Sequence, residues 1–99
     1  MKRVVGLPGE QVQLSEQGRI LIDSQPIELP ASLDQRFLRY GNLAAGKSPV
    51  SCGQSYYLLG DDSRDSDDSR FNGPVGLDRI IGRSWLIVWP LSRFGFVNR

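Results

Sequence analysis

Histidine is absent from these 99 residues, cysteine and methionine occur once each, and no excess of either charge is present: 12 Lys and Arg stand against 11 Asp and Glu. Without imidazole, the usual zinc ligand sets and histidine-activated nucleophiles are excluded. Near-neutral charge argues against a nucleic-acid partner, which needs a basic footprint. The single Cys52 excludes an internal disulfide, and with nothing to activate its thiol it is expected as a small, semi-buried apolar side chain. Long apolar runs are missing too. The longest, Trp85-Leu86-Ile87-Val88-Trp89, stops at Pro90, far short of the ~20 residues of a membrane span, and the opening residues lack the pattern of a secretory leader. What remains is expected to be a soluble piece of one domain, residues 1–99, with a thin core.

Period and punctuation then organise the chain. Arg3 to Leu7 is a short β-branched run closed by Pro8-Gly9, a strand and a turn. Gln11 to Ser15 and Arg19 to Asp23 alternate around Glu16-Gln17-Gly18 and read as a hairpin with a half-buried face. Between Ser24 and Ser51 Pro26, Pro30, Pro49, Gly41 and Gly46 interrupt every run, leaving only Leu33 to Tyr40 for a helical turn or irregular strand. Ser55 to Leu59 is a strand, followed by a polar loop through Gly73-Pro74. Arg79 to Trp89 reads as one long strand bent at Gly82. The sum predicts a mainly β fold with long loops, a small barrel or sandwich.

Two segments carry chemistry. Gly60 to Arg70 holds five Asp and two Arg in eleven residues. A solvated charged loop is the simplest reading. A calcium loop fails the EF-hand test, since from Asp61 the sixth position is Ser66 rather than Gly and the twelfth is Asn72 rather than Glu; no metal is expected. The two Arg offer a third reading, in which guanidinium–carboxylate pairs pin the loop and aim a hydroxyl such as that of Ser66. The second segment is Lys2, at the mouth of the first strand. Most lysines are solvated charges, but desolvation favours the free amine and makes a general base. In a chain without histidine the natural arrangement is a Ser-Lys dyad.

At these residues the chain resembles the bacterial type I signal peptidases. Lys2-Arg3-Val4-Val5-Gly6-Leu7-Pro8-Gly9-Glu10 is similar to that family's lysine motif, with Glu10 where Asp is usual. Gly60 to Arg70 resembles the second motif, Gly-Asp-Asn-x-x-x-Ser-x-Asp-Ser-Arg, with Asp62 in place of Asn, and Gly73-x-Val75 and Ile81-Gly82-Arg83 follow in order. The resemblance implies coiled antiparallel sheets forming a partly open barrel. It also implies that residues 24–51 are a short form of a variable, non-catalytic insertion. The roles it implies are Lys2 as general base, Ser66 as the hydroxyl orienting its amine, Gly60 as the close neighbour of that amine, Asp68 and Arg70 as a loop-shaping pair, and Asp61 as the partner of Arg3. Such a scheme is chemically consistent: a hydroxyl orients an amine without the charge that would hold it protonated, and the carboxylates are left to arginines.

The family's nucleophile lies upstream in a Ser-x-x-Pro motif, which has no match here. Pro8, Pro26, Pro30, Pro49, Pro74 and Pro90 follow, three residues on, Val5, Asp23, Ile27, Gly46, Phe71 and Ile87. The expectation is therefore the C-terminal part of a membrane-anchored serine endopeptidase acting on the exported side, whose partners are the signal peptides of secretory preproteins and a membrane surface, with no cofactor. Alone, the chain is expected to be inactive. A self-cleaving repressor-type peptidase shares the chemistry but fits Gly60 to Arg70 less well, and a non-catalytic peptide- or partner-binding module is the alternative from a different class. Trp85 and Trp89 share one face of their strand and suit either core or bilayer interface. Loss of upstream strands predicts uncovered apolar side chains at Val4, Val5 and Leu7, and either self-association through that edge or its occupation by another segment of the chain.

Overall fold

The computed structural model describes residues 2–29, 38–44, 46–62, 68–82 and 87–88. Its strands are β1 (Lys2–Gly6), β2 (Gln11–Leu14), β3 (Ile20–Ile22), β4 (Gln25–Pro26), β5 (Val50–Ser51), β6 (Tyr57–Gly60) and β7 (Ile87–Val88). They form two sheets, ordered β6-β1-β7 and β4-β3-β2-β5. The fold is mainly β, as expected, with no closed barrel among the described residues. One departure is that β7 runs parallel to β1, while every other strand pair is antiparallel.

The two valines of β1 show how the layers meet. Val4 packs with Leu58, Val75 and Ile80 in one cluster. Val5 packs with Val12, Ile20, Ile22, Leu38, Leu43, Cys52, Tyr57 and Leu59 in the other. Successive strand side chains point to opposite faces, so the three-stranded sheet is covered on both, with the hairpin sheet on one side. A register shift between Val4 and Gly6 brings the Gly6 backbone against the hairpin, where an added Cβ would lie 2.7 Å from Val12 and 2.9 Å from Tyr57. Only glycine fits there.

The Leu7-Pro8-Gly9-Glu10 turn joins the sheets. Proline presets φ at the second position and Gly9 supplies φ of +84° at the third. Glu10 closes the turn twice, donating its N–H to the Leu7 carbonyl at 3.0 Å and accepting the Leu7 N–H on Oε1 at 2.7 Å. The predicted strand, turn and hairpin therefore stand, as does the strand before Gly60. Cys52 is buried in the main core rather than half-covered.

Three expectations need correction. Arg79 to Trp89 is not one bent strand: α2 (Leu77–Ile81) occupies its start, and among its described residues Ile87–Val88 is the strand. The β-branched pair Ile80-Ile81 suggested extension, but Ile80 alone is buried, docked against Val4 and Leu58, while Ile81 stays 74% exposed; packing overrides propensity here. The polar loop contains α1 (Ser69–Asn72), capped by Asp68 and ended by Gly73 at φ +77°. Third, Val4 and Val5 are buried rather than uncovered, because Leu58, Val75 and Ile80 cover the one and the hairpin core covers the other. On the side away from β6, β7 pairs with the first two residues of this strand, Lys2 and Arg3.

Candidate active site

Lys2 opens β1 and is buried, 4% exposed. It stands opposite Gly60 on β6 and beside Ile87 on β7, so pairing on both sides fixes its backbone. By strand alternation it shares a face with Val4. The Lys2 backbone is thus placed at the end of an apolar layer and paired with Gly60, the glycine expected to be the close neighbour of its amine. Arg3 points the other way and pairs with Asp61, Nε to Oδ1 at 3.3 Å, in a half-buried contact.

Asp68 holds the next part together. Its carboxylate takes a fork from Arg70, with Nε 3.0 Å from Oδ1 and Nη2 2.9 Å from Oδ2, and both side chains are sealed from solvent. The same Oδ1 accepts the Arg70 N–H at 3.0 Å, capping α1, and Oδ2 accepts the Gly60 N–H at 3.2 Å. Ser69 adds a parallel contact, its Oγ accepting the Leu58 N–H at 2.8 Å. Leu58 and Gly60 are alternate residues of β6, so these N–H groups face away from β1. The Asp68-Ser69-Arg70 run therefore seals the outer edge of the strand that lies against Lys2, and Tyr56 continues the seal by bridging to Val75.

The structure brings together Lys2, Arg3, Gly60, Asp61, Asp68 and Arg70, all six from the two motifs. Ser66, and with it the Lys2–Ser66 contact, lies outside the described residues, as do Arg64, Trp85 and Trp89. Asp62 is exposed. Among the described residues no group of His, Cys, Asp and Glu is arranged to hold a metal.

Two residues near the site were not singled out from the sequence. Tyr57 is fully buried and donates its hydroxyl to Asn42 Oδ1 at 2.5 Å, and Asn42 Nδ2 donates to the Ser69 carbonyl at 2.6 Å. Burial pushes the Tyr57 phenol far above its ordinary range; the Asp68 carboxylate adds to the rise and the Arg70 guanidinium opposes it. A signal did exist, since Tyr57 is the polar-tipped residue of an apolar strand and a buried tyrosine hydroxyl needs a partner.

A family model described as signal peptidase, peptidase S26, matches residues 1–89. A signal peptidase I of Leptolyngbya laminosa is 40% identical over 95 residues, covering 96% of this chain and 43% of the relative. A probable signal peptidase I of Synechocystis is 31% identical over 99 residues, covering 99% of this chain and 42% of the relative. The mouse mitochondrial inner membrane protease subunit 1 is 31% identical over 92 residues, covering 84% and 55%. The chain spans about half the length of the curated relatives it matches.

Proposed function

This chain belongs to the signal peptidase, peptidase S26, family, and on that premise we propose that it supplies the lysine base and its supporting loop to a Ser-Lys endopeptidase that removes N-terminal signal peptides from exported preproteins. The observation that supports this reading most is the burial of Lys2 opposite Gly60, while Asp61 is paired with Arg3 and Asp68 with Arg70. In this scheme the Lys2 amine takes the proton of a serine hydroxyl contributed from outside these 99 residues. The serine oxygen attacks the scissile carbonyl, the leaving amine receives the proton, and water then releases the acyl group by the same route. Ser66 orients the amine. Arg3 and Arg70 keep Asp61 and Asp68 from competing for it, since a carboxylate beside the amine would hold it protonated.

The site of action in this proposal is a membrane surface on the exported side. No helix of the described residues is long and apolar enough to cross a membrane.

A chimera tests the assignment. In it this chain replaces the matching segment of the Leptolyngbya signal peptidase I. The chimera is expected to cleave a preprotein, Lys2→Met to lower kcat at least a thousandfold, and Lys2→Arg to restore nothing, because removing one member of a serine-type unit costs several orders of magnitude. The 99-residue chain alone is expected to show no turnover. Activity that survives Lys2→Met would refute the base assignment and favour a binding role.

A further inference from the structure

Residues 41 and 42 belong to the segment that resembles a variable, non-catalytic insertion, yet they lie against the proposed catalytic loop. We propose that Gly41 and Asn42 form a positioning clamp that fixes Asp68-Ser69-Arg70 against β6, with Tyr57 as its anchor; this rests on the reading of Lys2 given above. The Gly41–Leu43 turn of 3-10 helix lies directly on α1. Gly41, at φ +65°, approaches so closely that an added Cβ would run into the carbonyl of Arg70. Asn42 holds the preceding carbonyl, that of Ser69, through Nδ2 at 2.6 Å. Two consecutive backbone groups of α1 are therefore gripped by two consecutive residues of the turn.

The grip is itself held at both ends. Asn42 Oδ1 accepts the Tyr57 hydroxyl, and Tyr57 belongs to β6. Leu43 is buried in the main core beside Tyr57 and Leu38. On the far side, Ser69 Oγ and Asp68 Oδ2 accept the N–H groups of Leu58 and Gly60. This makes a closed circuit from β6 through Tyr57, Asn42 and α1 and back to β6 at Leu58 and Gly60. Gly60 is the residue opposite Lys2. Asn42 acts on the proposed base only through this circuit and touches no reacting group.

Amide hydrogen exchange on the 99-residue chain separates a clamp from general stabilisation, because local opening and global unfolding differ in which amides they release. Asn42→Ala is expected to speed exchange at Leu58 and Gly60 about tenfold relative to the amides of the β2–β3 hairpin, the change that corresponds to ~1.4 kcal/mol, near the net worth of one hydrogen bond. Tyr57→Phe removes only the anchoring hydroxyl and is expected to give a smaller effect at the same two amides. It also serves as the test if Asn42→Ala does not fold. In the chimera, Asn42→Ala is expected to lower kcat with KM changed less than twofold. Exchange that quickens equally in the hairpin, or nowhere, would overturn the clamp. An unchanged kcat would overturn its positioning role. Should Lys2→Met leave the chimera active, the reading of Lys2 fails by itself, since the exchange result does not depend on activity.

Discussion

Asp23 and Ser24 turn the chain between β3 and β4 with φ of 50° and 68°, a two-residue connection with both central residues left-handed. Hairpins favour this turn, but a residue with a Cβ is strained in it. Asp23 has a second task, since its Oδ1 accepts the Gln11 N–H at 2.9 Å, whereas nothing comparable requires the serine. Ser24→Gly should therefore stabilise the fold by about 0.5–1 kcal/mol, the relief of strain exceeding the greater unfolded freedom of glycine; urea titration measures it. Tyr57 yields a second expectation. Its phenol is protonated in the fold and pushed well above the ordinary range, while the unfolded chain releases that proton near pH 10. Stability is thus fully present below about pH 10 and declines above it, by roughly 1.4 kcal/mol per pH unit, as the unfolded state ionises first. Tyr57→Phe should flatten that decline in urea titrations between about pH 10 and 11.5. At this scale the charged pairs were legible, because Arg3 with Asp61 and Asp68 with Arg70 sit inside two recognisable motifs. Asn42 was not: its partners lie 15 and 27 positions away, and no local pattern records such a contact.

At the scale of elements, α1 is a single turn whose existence depends on Asp68. That carboxylate caps the helix, forks onto Arg70 and ties down Gly60. Asp68→Ala would strip a buried guanidinium of this counter-charge, a loss of roughly 3–5 kcal/mol, with about 1 kcal/mol more for the cap. Against a total stability of ~5–15 kcal/mol the variant should melt far below the parent. The double variant Asp68→Leu/Arg70→Met should be less damaged than Asp68→Ala alone, because no unmatched charge is left buried; thermal melts of the three chains compare them. Capping chemistry was present in the sequence as Asp68 followed by Gly73-Pro74, a start and stop for one turn, but so dense a charged stretch masks it. α2 was hidden differently. Its two isoleucines carry a strand preference that only the docking of Ile80 reverses. The hairpin and β1, by contrast, were legible because alternation and a Pro-Gly turn agree with the packing they meet.

For the whole molecule, the exposed edges decide whether it stays single. The outer edge of β6 is sealed by the side chains of Asp68 and Ser69 and by the Tyr56–Val75 bridge. The other edge of the same sheet is guarded by β7, which pairs with β1 at Lys2 and Arg3. Both guards come from sequence beyond residue 60, so the sheet that carries the proposed base is covered along β6 and at the start of β1 by the chain's own later segments. A two-residue strand in a parallel pairing is a weak cover, because parallel ladders are slightly less stable per residue. Proline cannot donate to such a ladder. The double variant Ile87→Pro/Val88→Pro should therefore release the cover while leaving the β2–β3 hairpin and its core intact, and the freed β1 edge should template pairing with a second copy. In sedimentation at micromolar concentration the parent chain is expected to run as a monomer and the variant as a concentration-dependent dimer or larger species. If the variant stays monomeric with an unchanged circular dichroism spectrum, β7 is not the guard of this edge. If the parent itself associates, two residues of cover are too few and the sheet is completed between copies.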